Sequence, residues 1–191
     1  MKLPVLLDQA RACRVCEEHL PEGPRPLLQG STKARLLIIG QAPGFAAHTT
    51  GIPWDDQSGQ RLRDWLGFTD EQFYNPDLVA LLPMGLCYPG KARSGDAPPR
   101  PECAPLWHPQ LLEAWRHVGL TVYIGKYAHN RYLREQFKTI TDAVRGYGAL
   151  LPERIALPHP SPRNNIWLKK NSWYANRVLP KLKHRIRAVV R

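Results

Sequence analysis

The chain has 191 residues, 27 Lys and Arg against 16 Asp and Glu, and 43% apolar residues, which suits one domain spanning 1–191 rather than two. Its net charge of +11 is unevenly placed: Glu153 is the last acid, residues 1–153 hold 17 basic and 16 acidic side chains, and the final 38 hold ten basic groups (Arg154, Arg163, Lys169, Lys170, Arg177, Lys181, Lys183, Arg185, Arg187, Arg191) and no carboxylate. One-signed charge of this kind concentrates polyanions, so a nucleic acid or an anionic membrane is the expected partner and a neutral scaffold is not.

The elements follow in chain order. A helix-like segment at 4–12 leads into Cys13; the apolar run before Asp8 is too short for a secretory signal, and a cytoplasmic protein is expected. Ala34–Gly40 (ARLLIIG) is a continuous apolar run ending in glycine, the pattern of a strand buried on both faces. Gly59–Leu66 reads as a short helix with Leu62, Trp65 and Leu66 on one side, and Leu78–Pro83 as a second strand. Pro105–His117 is a predicted helix, Leu120–Gly125 a third strand, Lys126–Phe137 a helix, Arg154–Pro158 a fourth strand, and Ile166–Val190 one or two helices, with Trp167, Trp173 and Tyr174 as packing residues. Strands alternating with helices predict an α/β domain with a central parallel sheet. No apolar run approaches the roughly 18 residues of a membrane span.

Four cysteines, Cys13, Cys16, Cys87 and Cys103, stand in the spacing C-x2-C-x70-C-x15-C. In a reducing compartment such a set reads as a four-thiolate metal site, and both zinc and a cubane iron–sulfur cluster take four thiolates. Such a site would pin the N-terminus to the loop at 87–103.

In parallel α/β sheets ligands bind beyond the carboxyl ends of the strands. The first strand runs into Gly40-Gln41-Ala42-Pro43-Gly44 and the fourth into His159-Pro160-Ser161-Pro162-Arg163-Asn164-Asn165, two loops expected to face one another across one crevice.

With GQAPG at 40–44, TGIPW at 50–54, HPSPR at 159–163 and cysteines so spaced, the chain resembles the uracil-DNA glycosylase superfamily, in particular its iron–sulfur branch, family 4. The resemblance implies a three-layer αβα sandwich with a central four-stranded parallel sheet. It implies a 4Fe-4S cluster on the four cysteines, with 10–20 as the N-terminal cluster-binding segment and zinc as the other candidate. It further implies a monomer that acts on DNA in base excision repair, flipping out uracil or another deaminated base and hydrolysing its N-glycosidic bond. The alternative on the same fold is a catalytically silent iron–sulfur protein that binds nucleic acid.

The resemblance also implies roles. Trp54 stands where the family stacks a phenylalanine on the flipped base. Gln41 and the backbone of Ala42, Pro43 and Gly44 would contact the base or its sugar. His159 would donate to the base carbonyl as negative charge develops there. Ser161 looks like a phosphate contact, with Arg163 and Asn164 in the stretch that meets the DNA groove. Lys169, Lys170, Arg177 and Lys181 would track phosphates around the extruded nucleotide, and the basic face should then be the face that carries Trp54 and His159. Plainer readings stand beside these: Trp54 as a core aromatic, the Gly-Pro-Gly loop as a sharp turn, His159 as a structural histidine.

The chain departs from the family where Gln41 replaces Glu, where Ala42 replaces the Asp or Asn of other branches, where Ala47 and His48 replace an acidic pair, and where Pro83 replaces an Asn. The nearby candidates for general base are His48, Asp55 and Asp56, and Asp56 reads equally as a helix N-cap. The interval after Cys87 (YPGKARSGDAPPRPE) lacks the nucleophilic histidine of the family's covalent uracil traps; its Lys91, Arg93 and Arg100 would meet phosphates or water.

Overall fold

A computed structural model describes residues 2–190; Arg191, one of the ten basic groups of the C-terminal segment, lies outside the described residues. Helix α1 (Leu3–Arg11) turns Leu3, Leu6, Leu7 and Ala10 inward, the i, i+3, i+4, i+7 stripe of an amphipathic helix. Strand β1 (Leu36–Ile39) is buried along its whole length. Then follow α2 (Phe45–Thr50), α3 (Gln57–Leu66), α4 (Asp70–Tyr74) and strand β2 (Val79–Leu81). Asp56 caps α3 by accepting the Gly59 N–H at 2.7 Å, and Thr69 with Gln72 forms a capping box on α4. A small hairpin, β3 (Lys91–Ala92) with β4 (Gly95–Asp96), precedes α5 (Cys103–Ala114). Strand β5 (Leu120–Ile124), α6 (Gly125–Tyr132), α7 (Ile140–Arg145), strand β6 (Arg154–Leu157) and α8 (Asn165–Lys170) come next, and a π turn at Tyr174–Val178 runs into α9 (Leu179–Val190).

The central sheet has the order β2-β1-β5-β6 with every pair parallel. It is the four-stranded sheet expected from the sequence; α6 and α7 pack on β5 and β6, α5 packs on α1, and α9 lies against β1 and β5 and packs on α3. The chain leaves β1 toward β2 and then crosses back to β5, so the connections diverge beside β1. That reversal opens a crevice at the carboxyl ends of the strands.

The structure moves several boundaries. Helix α5 starts at Cys103 rather than Pro105, so the fourth cysteine sits in its first turn. Helix α6 stops at Tyr132, short of Phe137, because the chain turns back there and the Phe137 carbonyl accepts from buried His129. Helices α2, α4 and α7 and the hairpin were not anticipated.

The placement of the basic C-terminal segment also differs from expectation. Helix α9 runs away from the crevice: Arg185 donates to the carbonyls of Pro152 (2.7 Å) and Gly119 (2.9 Å), and Val189 packs against Gly119, all at the amino ends of β5 and β6. The basic face therefore coincides with the crevice at Arg163 and not at Arg185. Among the described residues no helix is long and apolar enough to cross a membrane.

Candidate active site

The crevice has a volume of about 640 Å³. Segments following all four strands reach it: residues 41–44 after β1, Pro83 after β2, Lys126 and Tyr127 in the first turn of α6 after β5, and His159 after β6. The two loops singled out in the sequence thus line one cavity, and Trp54 joins them.

Trp54 is held rather than merely placed. Its φ of 61° is left-handed, a conformation that costs a bulky residue of order 1–3 kcal/mol and persists only when its surroundings impose it. The surroundings are two close approaches. A Cβ on Gly40 would come within 2.7 Å of the Trp54 indole, and one on Gly59 would overlap the Trp54 carbonyl oxygen. Arg63, only 6% exposed, donates to that carbonyl at 3.3 Å and pairs through Nε with Asp70 at 2.6 Å. The indole is half-buried and lies 5.8 Å from the His159 ring, tilted by 32°, so both rings border the same space.

His159 has a defined tautomer. Its Nδ1 accepts the Ser161 backbone N–H at 3.2 Å, so the proton of the neutral ring sits on Nε2, which takes no partner among the described residues. Burial lowers its pKa from the ordinary imidazole value, and the charge of Asp56 opposes that shift without reversing it. The loop is braced from several sides: Asn164 donates to the His159 carbonyl at 2.7 Å, and Arg61 of α3 donates to Ser161 O and to Asn165 Oδ1. Ser161 spends its hydroxyl on the backbone N–H of Arg163.

The floor is fixed by buried His108, 1% exposed, whose Nε2 donates to the Pro83 carbonyl at 3.0 Å while its Nδ1 accepts from Tyr132 Oη. Burial lowers the pKa of His108 to about 4, which keeps it neutral.

Of the proposed general bases, Asp56 lines the crevice and at the same time caps α3. His48 does not line it; its ring turns toward Tyr88, with centroids 5.9 Å apart, and its carbonyl accepts from Arg25. Nor does Asp55, which lies on the side of Tyr74 and adds to the rise that burial gives that residue's pKa. Lys169, Lys170 and Arg177 are exposed and stand outside the cavity wall. Arg100 is paired with Glu102 at 2.6 Å instead of standing free.

Sequence reasoning missed Lys126 and Tyr127, although the rule that ligands meet the carboxyl ends of strands applied to β5 as much as to β1 and β6. It also missed Asp96, which the hairpin carries to the cavity from a segment remote in sequence. The guanidinium of Arg163 packs directly on the α-carbon of Gly95 beside it.

All four cysteines line a second, small cavity between α1, the 20–26 stretch and the start of α5. Burial and the neighbouring sulfurs push the Cys87 thiol up to about 11 and the Cys103 thiol up to about 12. Backbone N–H groups are nevertheless aimed at both sulfurs, from Arg25 onto Cys87 and from Leu86 onto Cys103 at 3.2 Å. Thiolates gathered in such a place need a cationic centre to offset their charge, and N–H donors to sulfur are the support that metal-bound thiolates receive. Four sulfurs bordering one cavity are a donor set of the right chemistry for a thiolate-ligated metal or cluster, although among the described residues no three His, Cys, Asp or Glu side chains are gathered as a metal-holding group.

Compared with known families, residues 28–183 match the model described as the Uracil DNA glycosylase superfamily.

Proposed function

The chain belongs to the uracil DNA glycosylase superfamily, and from that premise we propose that it excises uracil or another deaminated base from DNA by hydrolysing the N-glycosidic bond of a flipped-out nucleotide. The observation that carries this reading is the His159 ring, neutral and with its free Nε2–H on the crevice wall next to Trp54.

Trp54 offers a flat face for the extruded base, and its fixed backbone sets where that face lies. As the C1′–N bond lengthens, negative charge collects on the base and positive charge on the sugar. A neutral N–H donor at the base carbonyl stabilises that charge more in the transition state than in the substrate, and a donor locked by its own loop needs no reorganisation. Burial strengthens the interaction by excluding water. Gln41 and the backbone of the 41–44 loop border the same space and suit the polar edge of the base.

The four cysteines hold, in this proposal, a 4Fe-4S cluster whose chemistry is structural: thiolate ligation ties Cys13 and Cys16 to Cys87 and to the head of α5. DNA is the polyanion that the basic segment attracts, with Arg163, Lys169, Lys170 and Arg177 as phosphate contacts.

The test is base release from single- and double-stranded oligonucleotides containing uracil, hypoxanthine, xanthine or 5-hydroxymethyluracil, followed by cleavage of abasic sites. Release of at least one base is expected, with His159→Ala slowing it about 10²- to 10³-fold while DNA binding persists. Absence of release from every substrate, with salt-sensitive DNA binding intact, would overturn the reading. A purified protein that is brown and iron-loaded is the expected cofactor result; a colourless, zinc-loaded anaerobic preparation would exclude the cluster.

A further inference from the structure

Hydrolysis needs a group that takes a proton from the attacking water, and neither Gln41 nor Ala42, at the family's acidic positions, can do so. We propose that Asp96 of the β3–β4 hairpin is that group, an inference that rests on the glycosylase reading of the crevice given above.

Four observations support it. Asp96 lines the crevice, carried there by a hairpin and not by a strand end of the sheet. Its Oδ2 converges with that of Asp56 above the 40–44 loop: a Cβ built on Gly44 would lie 3.5 Å from Asp96 Oδ2 and 3.8 Å from Asp56 Oδ2. The two carboxylates are unequal. Asp56 is committed through Oδ1 to the Gly59 N–H at the start of α3, so one of its oxygens is already spent on the helix cap. Asp96 accepts no hydrogen bond among the described residues, so its lone pairs are available to water. Finally, partial burial raises the pKa of Asp96; Arg163 and Lys91 oppose that rise and Asp56 adds to it, which suits a group that must take a proton.

The step balances as follows. The water oxygen bonds to C1′ as the C1′–N bond breaks, and the electron pair of that bond leaves with the base, whose carbonyl His159 Nε2–H steadies. One water proton passes to Asp96. The departing base anion is protonated from solvent, and Asp96 returns its proton to solvent. The anionic charge of Asp56 and Asp96 also favours the cationic sugar.

The experiment is single-turnover release, at saturating enzyme, of a base that the wild-type chain excises, comparing wild type, Asp96→Asn and Asp96→Glu across pH 4–9. Asp96 is exposed, so the isosteric amide leaves the fold intact, which near-UV circular dichroism verifies. Expected are a loss of about 10²-fold in rate for Asp96→Asn, unchanged DNA affinity, and partial recovery in Asp96→Glu. The charged groups facing Asp96 are Asp56, Arg163 and Lys91, with His159 beyond Asp56. The wild-type rate should rise with pH as Asp96 and His159 take their basic forms, and Asp96→Asn should retain only the His159 part of that rise. A rate and acid limb in Asp96→Asn equal to wild type would overturn the inference while leaving the glycosylase reading standing. A wild-type chain that releases no base would overturn both.

Discussion

One part of the crevice lining, made by the loops after β1 and β6 with Trp54 between them, is fixed by backbone contacts, whereas another part is a hairpin of two residues per strand. The first wall rests on two glycines, on Arg63 and on His108, none of which can shift without disturbing the core. The second is exposed at Lys91, Ala92 and Asp96, and the side chain of Arg163 leans on it. The difference suits a division of labour. Stacking and charge stabilisation demand donors already in place, while water and DNA must enter and leave past a surface with little apolar burial and hence a low local opening energy.

Three changes would break or sharpen this contrast. The largest effect is expected from Gly59→Ala, because the added methyl meets the Trp54 carbonyl, which is backbone and cannot swing aside. A loss of roughly 3 kcal/mol or more in unfolding free energy is expected by denaturant titration. A loss below about 1 kcal/mol would show that the Trp54 wall yields as readily as the hairpin.

Acid should also act on the fixed wall. His108 is held neutral in the folded chain, with its pKa lowered from 6.5 to about 4, so the unfolded chain binds the extra proton first. Its contribution is fully present above pH 6.5 and is lost as pH falls toward 4, by up to about 3 kcal/mol. Thermal melts between pH 7 and 4 should show that slope in the wild type, and His108→Gln should flatten it. An unchanged slope would mean that the floor under Pro83 does not depend on a neutral His108.

The smallest effect belongs to the surface outside both walls. Lys169→Gln with Lys170→Gln should weaken DNA binding severalfold and reduce the salt slope by about one for each phosphate no longer neutralised, leaving single-turnover release at saturation unchanged. A fall in that saturated rate would place the lysines among the groups that shape the crevice.

The strands were legible because each central run is apolar on both faces and is closed by Gly40, Pro83, Gly125 or Pro158. The facing of the β1 and β6 loops followed from the parallel pattern, and the nearness of Trp54 to His159 from the resemblance carried by TGIPW and HPSPR. Helices α2, α4 and α7 were not legible, since five or six residues are too few to display a helical period. The hairpin pairs Lys91 with Asp96 and Ala92 with Gly95, two residues per strand with no β-branched or aromatic side chain, so nothing in the sequence marked it as strand. The consequence fell on the site: nearness in sequence to the GQAPG loop favoured His48, Asp55 and Asp56, of which only Asp56 lines the crevice, while Asp96, remote in sequence, lines it too. The four cysteines, which the spacing suggested as one set, line one cavity.

Helix α9 carries positive charge from the neighbourhood of Tyr174 down to Gly119 and Pro152, at the far pole of the sheet. A field spread over both poles attracts a duplex without choosing the pole that meets it. First encounters are then loose and indifferent to orientation, and the molecule must tumble or travel along the phosphates before the crevice faces a base. In the proposed glycosylase, the charge would serve the search, and the uncharged faces of Trp54 and His159 would serve the choice of base.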